Sequence, residues 1–289
     1  MNTAIEFGLL TALLYGISDY VAKFASRAVG VWRTLFWGEL CSASLLSLWI
    51  VLGHAAPAGV FRLPFSVWAV AIAANLTILS ATALFYRALS IGRFAVVMPI
   101  VATYGAITAL LAAAFGQPLG AVALGGIAIA VLGGALASVP VPIESGRTVR
   151  PAGIGLAAAA ALLYGVGFFA QAHYAVPKLG SLIPVWLYYG LGVILLGSAA
   201  AVLRRDLSPP SFTQLPVVLG TGLAASAAFL ALTLAVTGGN IAVPTVLASL
   251  ASVVTVVLAR VLIKEQVATH QWAGIAAVIG GLVILHAAA

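Results

Sequence analysis

The stretch "TALLYGISDY" at residues 11–20 and the stretch "AALLYGVGFF" at residues 160–169 share the five letters ALLYG. They place Tyr15 and Tyr164 at positions that are 149 apart. The similarity continues downstream: Pro99 lies in "VVMPIVATYGAI" and Pro244 in "IAVPTVLASLAS", 145 positions apart, and "FGQPLGAVALGGIAIAVLGG" aligns with "IKEQVATHQWAGIAAVIGGL" at an offset of 148. The chain therefore consists of two related halves.

The composition indicates a protein that spans a membrane many times. Of the 289 residues 63% are hydrophobic and only 7% are charged, and the mean hydropathy is +1.19. A soluble domain carries about 25% charged residues, so most of the outer surface must face lipid. The apolar stretches are continuous and do not alternate, which favours helices over a barrel.

Ten apolar stretches have roughly the 20 residues that a helix needs to cross a bilayer. The predicted spans are 4–24, 32–53, 66–86, 94–115, 119–139, 152–175, 181–203, 215–237, 241–262 and 268–286. A polar connection, "SVPVPIESGRTVRP", separates the fifth from the sixth. We therefore predict a first repeat over 1–140, a linker over 141–151 and a second repeat over 152–289.

The odd number of helices in each half decides the fold class. Because five helices end on the side opposite to their start, the second half must run inverted relative to the first. We predict an all-α integral membrane protein with ten transmembrane helices as two inverted five-helix repeats. Such repeats are typical of secondary transporters, which hold substrate between the halves; a duplication without mechanistic consequence is the alternative.

The basic residues predict the orientation in the membrane. Eleven of the thirteen fall on one side when loops are counted alternately, and short cytoplasmic loops retain Lys and Arg; the eleven are Lys23, Arg27, Arg33, Arg87, Arg93, Arg147, Arg150, Arg204, Arg205, Arg260 and Lys264. This side is predicted to be cytoplasmic, which puts both termini outside. The net charge of +7 is thereby explained without nucleic acid as a partner.

The sequence offers no motif for enzymatic or metal chemistry. It has no HExxH motif, no P-loop and no carboxylate pair at catalytic spacing on one helix, so we expect no enzyme activity, metal or cofactor. Cys41 is the single cysteine, which excludes an internal disulfide. The first apolar stretch has no basic region before it, so no cleavable signal peptide is expected.

The chain resembles the drug/metabolite transporter superfamily, most closely the EamA-type ten-helix exporters and, among them, the aromatic amino acid exporters. The resemblance is carried by the repeat organisation and by "YRALSIGRFAVVMPIVATYGAITALLAAAFGQ" (86–117) and "LTLAVTGGNIAVPTVLASLASVVTVVLARVLIKEQVATHQWAGIAAVIGGLVIL" (232–285). Members often carry an acid between the last two helices of both halves. Here Glu265 has Gln117 as its counterpart.

The resemblance implies a secondary transporter in a bacterial inner membrane. It would export small organic solutes, amino acids and first of all aromatic ones, by alternating access through a central cavity between the repeats. Its partners would be a small-molecule substrate and the lipid bilayer. A carrier of other metabolites or drugs, a channel and an integral-membrane enzyme are the alternatives.

Glu39 is the first candidate for coupling, because a charge at a helix centre costs about 2.5–3.5 kcal/mol on insertion scales. It lies in the second span, in "LFWGELCSA". Its carboxyl group could couple transport to protons or receive a substrate ammonium group. The alternative is a protonated, structural Glu39 that hydrogen-bonds to a neighbouring helix.

Asp19 is the second candidate for coupling. It precedes Lys23 by four residues on the first span, which is the spacing of an ordinary helical ion pair. Tyr15 lies on the same face one turn deeper. The stripe therefore predicts either a structural ion pair or the cytoplasmic mouth of a pathway.

Further candidates for a substrate cavity share helix faces with aromatic residues. Aromatic rings with a few polar anchors suit an amphipathic organic solute, whereas aromatic belts at the two membrane interfaces are the alternative. The candidates are Asn75, Thr82 and Tyr86 on the third span, Tyr164, Phe168 and Gln171 on the sixth, and Trp186 on the seventh.

Pro99 and Pro244 are predicted hinges, since a proline inside a helix removes a backbone hydrogen bond and bends the helix. For Pro244, which lies about three residues inside its span, an ordinary first-turn proline is the alternative. Tyr104 and Ser249 follow the two prolines and complete the predicted cavity. The fifth and tenth spans carry stripes of small residues, which let helices approach closely; these are Gly126, Ala130 and Gly134, and Ala273, Ala277 and Gly281. We expect both spans to be scaffold that joins the halves or forms a dimer contact.

Overall fold

The protein is built from helices. A computed structural model describes residues 2–53, 59–117, 120–137, 139 and 153–288, and within these ranges it contains no β-strand. The predicted linker 141–151, with Arg147 and Arg150, lies outside the described residues, so the predicted boundary between the repeats stays a prediction.

The helices are numbered in chain order. They are α1 Asn2–Val29, α2 Val31–Val51, α3 Phe65–Ile91, α4 Phe94–Ala102, α5 Tyr104–Ala114, α6 Ala121–Ala137, α7 Ile154–Ala170, α8 Val176–Leu179, α9 Leu182–Leu203, α10 Leu215–Ala235, α11 Ala242–Ser249, α12 Ala251–Leu262 and α13 Thr269–Ala288. A π-helical turn, Gln171–Ala175, joins α7 to α8, and 3₁₀ turns lie at Val60–Arg62 and Val236–Gly238.

Each of the ten predicted spans is a helix or a series of helices joined at a bend. Eight segments in the described part are long and apolar enough to cross a membrane, with α4–α5, α7–α8 and α11–α12 each forming one of them. The outward faces carry large apolar side chains, such as Leu132 at 69% and Val202 at 82% exposure, as a lipid-facing surface requires. The predicted fold class is confirmed.

Helix α1 is longer than predicted. The span was expected to end at 24, yet the helix continues to Val29 and stops before Gly30, whose φ of 85° a helix cannot accommodate. Lys23 therefore lies inside the helix and is only 3% exposed. The charge that marked the end of the span is instead part of the packed interior.

The two ALLYG glycines make close contacts between the halves. Gly16 on α1 packs against α12, where an added Cβ atom would lie 2.4 Å from the Cβ atom of Val254. Gly165 on α7 packs against α5, where an added Cβ atom would lie 2.5 Å from Cγ2 of Ile107. Each half thus admits a helix of the other at the same position of the repeat.

Matching hydrogen bonds accompany these contacts. The Thr255 hydroxyl donates to the carbonyl oxygen of Gly16 at 3.0 Å, and the Thr108 hydroxyl donates to the carbonyl oxygen of Gly165 at 3.1 Å. Because both bonds link equivalent residues of opposite halves, the interface is reciprocal. This reciprocity is what two-fold-related inverted repeats produce.

Helices α6 and α13 join the halves through their small residues, as predicted. An added Cβ atom on Gly281 would lie 2.4 Å from the carbonyl oxygen of Gly126 and 2.5 Å from the amide nitrogen of Ala130. Gly134 lies outside this contact and faces α4. An added Cβ atom on Gly134 would lie 3.2 Å from the carbonyl oxygen of Pro99. The scaffold pair therefore packs against α4 at its proline.

The fourth and ninth spans are interrupted at equivalent positions. Thr103 separates α4 from α5 with φ −64° and ψ −11°, and Leu250 separates α11 from α12 with φ −65° and ψ −8°. The interruptions lie beyond the prolines that predicted them, because Pro99 is within α4 and Pro244 is in the first turn of α11. A first-turn proline leaves the helix hydrogen bonds intact.

We predict that Gly16→Ala and Gly165→Ala each lower the free energy of unfolding by about 1–3 kcal/mol, the usual cost of overpacking. Thermal unfolding of the purified protein in detergent measures the effect. Gly220→Ala is the control, because its Cβ atom would meet nothing within 4 Å. A Gly16→Ala variant as stable as the wild type would contradict the close packing.

Candidate functional site

A central cavity lies between the two halves. It holds about 640 Å³ of space outside protein atoms, counting the part open to solvent. Helices α1, α3, α4 and α5 of the first half and α7, α9, α10, α11 and α12 of the second half contribute side chains to it. No residue of α6 or α13 is among those lining it.

Aromatic rings form most of the wall. Six tyrosines line the cavity, together with Phe85, Phe168 and Phe229; the tyrosines are Tyr15, Tyr86, Tyr104, Tyr164, Tyr188 and Tyr189. The Tyr164 ring stacks on Phe168 with centroids 5.3 Å apart and planes 3° from parallel. These tyrosines line the cavity at the protein centre and do not form an interfacial belt.

Thr82 organises the tyrosine hydroxyls. Its hydroxyl donates to the Ile78 carbonyl oxygen at 3.0 Å, as buried threonines in helices do. It accepts a hydrogen bond from the Tyr164 hydroxyl at 3.0 Å and lies 2.8 Å from the Tyr188 hydroxyl. Rings from α7 and α9 are thereby fixed to one point on α3.

Among the described residues, Asp19 is the single ionisable acid or base, tyrosines apart, that lines the central cavity. It is partly buried on α1, and within the described residues no cationic group lies within 4 Å of its carboxylate. The expected Asp19–Lys23 ion pair is therefore wrong. The physical reason is that Lys23 has a better-placed partner on another element.

Lys23 belongs to a charged cluster with Glu265. Its Nζ atom lies 3.6 Å from Oε2 of Glu265 and 3.8 Å from the ring centroid of Phe94. Oε1 of Glu265 lies 3.9 Å from Nε of Arg93 and accepts a hydrogen bond from the backbone N–H of Ala95 at 3.1 Å. One carboxylate thus pairs with two cations and caps the first turn of α4.

Gln117, the counterpart of Glu265 in the first half, performs the same capping without charge. Its Oε1 atom accepts a hydrogen bond from the backbone N–H of Ile241, at the start of α11, at 3.2 Å. Its Nε2 atom donates to the Gly239 carbonyl oxygen at 2.7 Å. The side-chain cap is therefore present on both α4 and α11, whereas ion pairs accompany only the Glu265 cap on α4.

Glu39 lines a smaller cavity beside the central one. The two cavities share Thr82, Tyr86, Tyr188, Tyr189 and Ala225, so these side chains separate the Glu39 carboxyl group from the central space.

The Glu39 side chain is 4% exposed, and its Oε2 atom has no hydrogen-bond partner. It packs on Gly192 of α9, where an added Cβ atom would lie 2.9 Å from Oε2. The residue opposite Glu39 is thus a glycine that makes room for the carboxyl group.

Besides Glu39, three sequence candidates lie outside the central cavity. The Asn75 amide donates to the Pro184 carbonyl oxygen at 3.1 Å, and Trp186 Nε1 donates to Ser47 Oγ at 2.9 Å, so both tie neighbouring helices together. Gln171 lines a separate small cavity next to Phe168, and neither atom of its amide has a partner.

The remaining candidates line the central cavity: Tyr15, Asp19, Thr82, Tyr86, Tyr104, Tyr164, Phe168 and Ser249. Ser18, Phe85, Tyr188, Phe229 and Ser252 line it as well and were not among the residues predicted from the sequence. Ser18 and Ser252 follow Tyr15 and Ser249 by three residues, so helical spacing could have found them. Nothing in the sequence distinguished Phe85 or Phe229 from lipid-facing aromatics.

Asp206 lies away from the cavity, in the loop after α9. Backbone and hydroxyl hydrogen bonds from Ser208, at 2.8 and 3.0 Å, lower its pKa, and Arg33 adds to the effect. Its charge is therefore already satisfied at the surface.

Comparisons with known proteins agree with this architecture. Residues 151–286 match the EamA-like transporter family. A solved structure described as "Crystal structure of protein" aligns over 98% of this chain and 96% of its own, with a TM-score of 0.72 and 17% identity, which shows a shared fold. No curated protein matches the chain by sequence. The apolar helices and the shared fold show a multi-pass membrane protein, and its second half is similar to the EamA-like transporter family.

We predict that Glu265→Gln destabilises the protein by about 3 kcal/mol, because it leaves Lys23 buried without a counter-ion. The amide can still cap α4, as Gln117 caps α11. The double variant Lys23→Met/Glu265→Gln should recover most of the loss, since it removes the unpaired charge. Thermal unfolding of the single and double variants measures this coupling.

Asp206→Asn is the matched control, because it removes an exposed carboxylate that also pairs with an arginine. No measurable change is expected for it. A double variant that is less stable than Glu265→Gln alone would contradict the assignment of the buried pair.

Proposed function

We propose that the protein is a secondary transporter that moves small organic solutes by alternating access. The cavity would open first to one side of the membrane and then to the other as the two halves rearrange. Inverted repeats with a site between them are the usual architecture of such carriers.

The observation that carries this proposal is the construction of the cavity from both halves around reciprocal contacts. Gly16 and Gly165 admit the same helix of the opposite repeat, and the cavity lies between these two contacts. If the two halves exchanged conformations, a cavity open to one side of the membrane would become a cavity open to the other side. That exchange is what alternating access requires.

The helix interruptions support a coupling between the solute and this motion. Ala102 and Tyr104 flank the interruption at Thr103, and Ser249 and Ala251 flank the one at Leu250. All four of these flanking residues line the cavity. A bound solute would therefore contact both places where a span can bend.

Aromatic amino acids are the first substrates to test, with other amphipathic metabolites and drugs as alternatives. The aromatic wall favours a solute with a ring, and the few polar side chains offer it orientation. We further propose export across a bacterial inner membrane with the basic loops in the cytoplasm.

Counterflow in proteoliposomes tests the function directly. Vesicles loaded with unlabelled phenylalanine, without an ion gradient, should accumulate labelled phenylalanine from outside, because a carrier exchanges solute while its cavity alternates. Tryptophan should compete and lysine should not. Folded protein that gives no counterflow with phenylalanine or a panel of other metabolites would contradict a carrier.

Glu39→Gln tests proton coupling. We propose that the buried Glu39 carboxyl group, whose Oε2 atom has no hydrogen-bond partner, takes up and releases a proton during transport. Flux through the Glu39→Gln variant should then lose its pH dependence while the fold is kept. Flux measured between pH 5.5 and 8.5 checks this. Glu6→Gln, an exposed acid at the start of α1, is the control, and wild-type flux at every pH would show that Glu39 is structural.

Pro99→Ala and Pro244→Ala separate the two predicted hinges. Pro99 lies within α4 and denies it a backbone hydrogen bond, so alanine should straighten α4 and lower transport several-fold. Pro244 occupies the first turn of α11, where its missing N–H costs nothing, and Pro244→Ala should keep wild-type transport. Equal transport in both variants would exclude a hinge at Pro99.

A further inference from the structure

The charges facing the central cavity are one-sided. Asp19 contributes a carboxylate, and no lysine, arginine or histidine is among the residues that line the cavity. The adjoining cavity adds a second carboxyl group, Glu39, and again no basic side chain. Within the described residues, the space available to a solute therefore offers negative charge alone.

The basic side chain next along α1 is already engaged. Lys23 follows Asp19 by one turn, yet its Nζ atom lies against Glu265 and the Phe94 ring, and the side chain is buried. It would have to abandon both contacts to reach a solute carboxylate. The lysine therefore does not supply the positive half of an amino acid site.

This charge pattern discriminates between two kinds of aromatic solute. The carboxylate of an amino acid would enter a wall of aromatic rings without a cation to pair with, and an unpaired buried charge is costly. An ammonium group would meet the Asp19 carboxylate and the faces of electron-rich tyrosine rings, which attract cations. Ser18 and Ser252 line the same cavity.

We propose that the cavity selects organic cations, amines or quaternary ammonium compounds with an aromatic or other apolar body, and that Asp19 is the counter-ion. The inference rests on the proposed transport function and narrows its substrate class. The proposed substrates carry a positive group and no carboxylate, unlike the zwitterionic amino acids that the sequence suggested.

Counterflow with two probes of the same aromatic body tests the proposal. One is trimethyl(2-phenylethyl)ammonium, whose permanent charge prevents leakage as a neutral base, and the other is phenylalanine. We expect the quaternary cation to exchange at least tenfold faster than phenylalanine. An uncharged isostere, with carbon in place of the quaternary nitrogen, should not compete.

Asp19→Asn should lower exchange of the cation at least tenfold, whereas Glu6→Gln, which removes an exposed carboxylate from the same helix, should leave it unchanged. Size-exclusion profiles and thermal unfolding confirm that the variants are folded. The competition by charged and uncharged isosteres uses the wild-type protein alone, so it decides the proposal even if Asp19→Asn does not fold.

The outcomes separate the substrate class from the transport function. Faster exchange of phenylalanine than of the cation would overturn the cation selectivity and leave a transporter. Cation exchange that survives in folded Asp19→Asn would overturn the counter-ion assignment. If neither probe exchanges, a shift of the unfolding temperature by the cation, absent with the isostere, would support the cation site and contradict transport, and no shift would overturn both.

Discussion

The contact on which the fold depends is the approach of an interrupted span to a glycine of the opposite half. At Gly16 and Gly165 the side chains of Val254 and Ile107 lie so close that no Cβ atom fits on the glycine. A threonine of the opposing helix donates a hydrogen bond to the carbonyl oxygen of each glycine. In lipid there is no hydrophobic force between helices, so close packing and hydrogen bonds must hold them together. The ALLYG motif is repeated because both halves need the same opening.

The site follows from this packing. Tyr15 and Tyr164 each precede an ALLYG glycine by one residue. Their side chains therefore lie next to the glycine contacts and line the central cavity. Thr82 then binds hydroxyls from two other helices. A mostly apolar chain thereby builds a polar-edged cavity from very few polar atoms, nearly all of them on residues that also hold helices together.

The sequence predicted the helices well because lipid imposes length and hydropathy on every span. It also predicted the α6–α13 scaffold, since small residues at four-residue spacing have few other uses in a membrane. It did not predict the partner of Lys23, because local spacing offered Asp19 four residues away whereas the observed partner, Glu265, comes from the last loop.

The positions of the bends and of several residues of the cavity wall were also not predicted from the sequence. Proline marks a weakened hydrogen bond, but the spans are interrupted at Thr103 and Leu250, where packing by other helices decides the geometry. A phenylalanine such as Phe229 is equally suited to lipid and to a cavity. Only its neighbours in space distinguish the two.

The cap on α4 has a consequence for how the protein is made. The Ala95 N–H bonds to Glu265, a residue 170 positions later in the chain. At a synthesis rate of about 5–20 residues per second, roughly 10 to 30 s pass before that carboxylate exists. During this interval the first half is in the membrane with α4 uncapped and with Gly16 facing no partner helix, so the nascent halves depend on each other, and the last loop to be translated completes the first repeat.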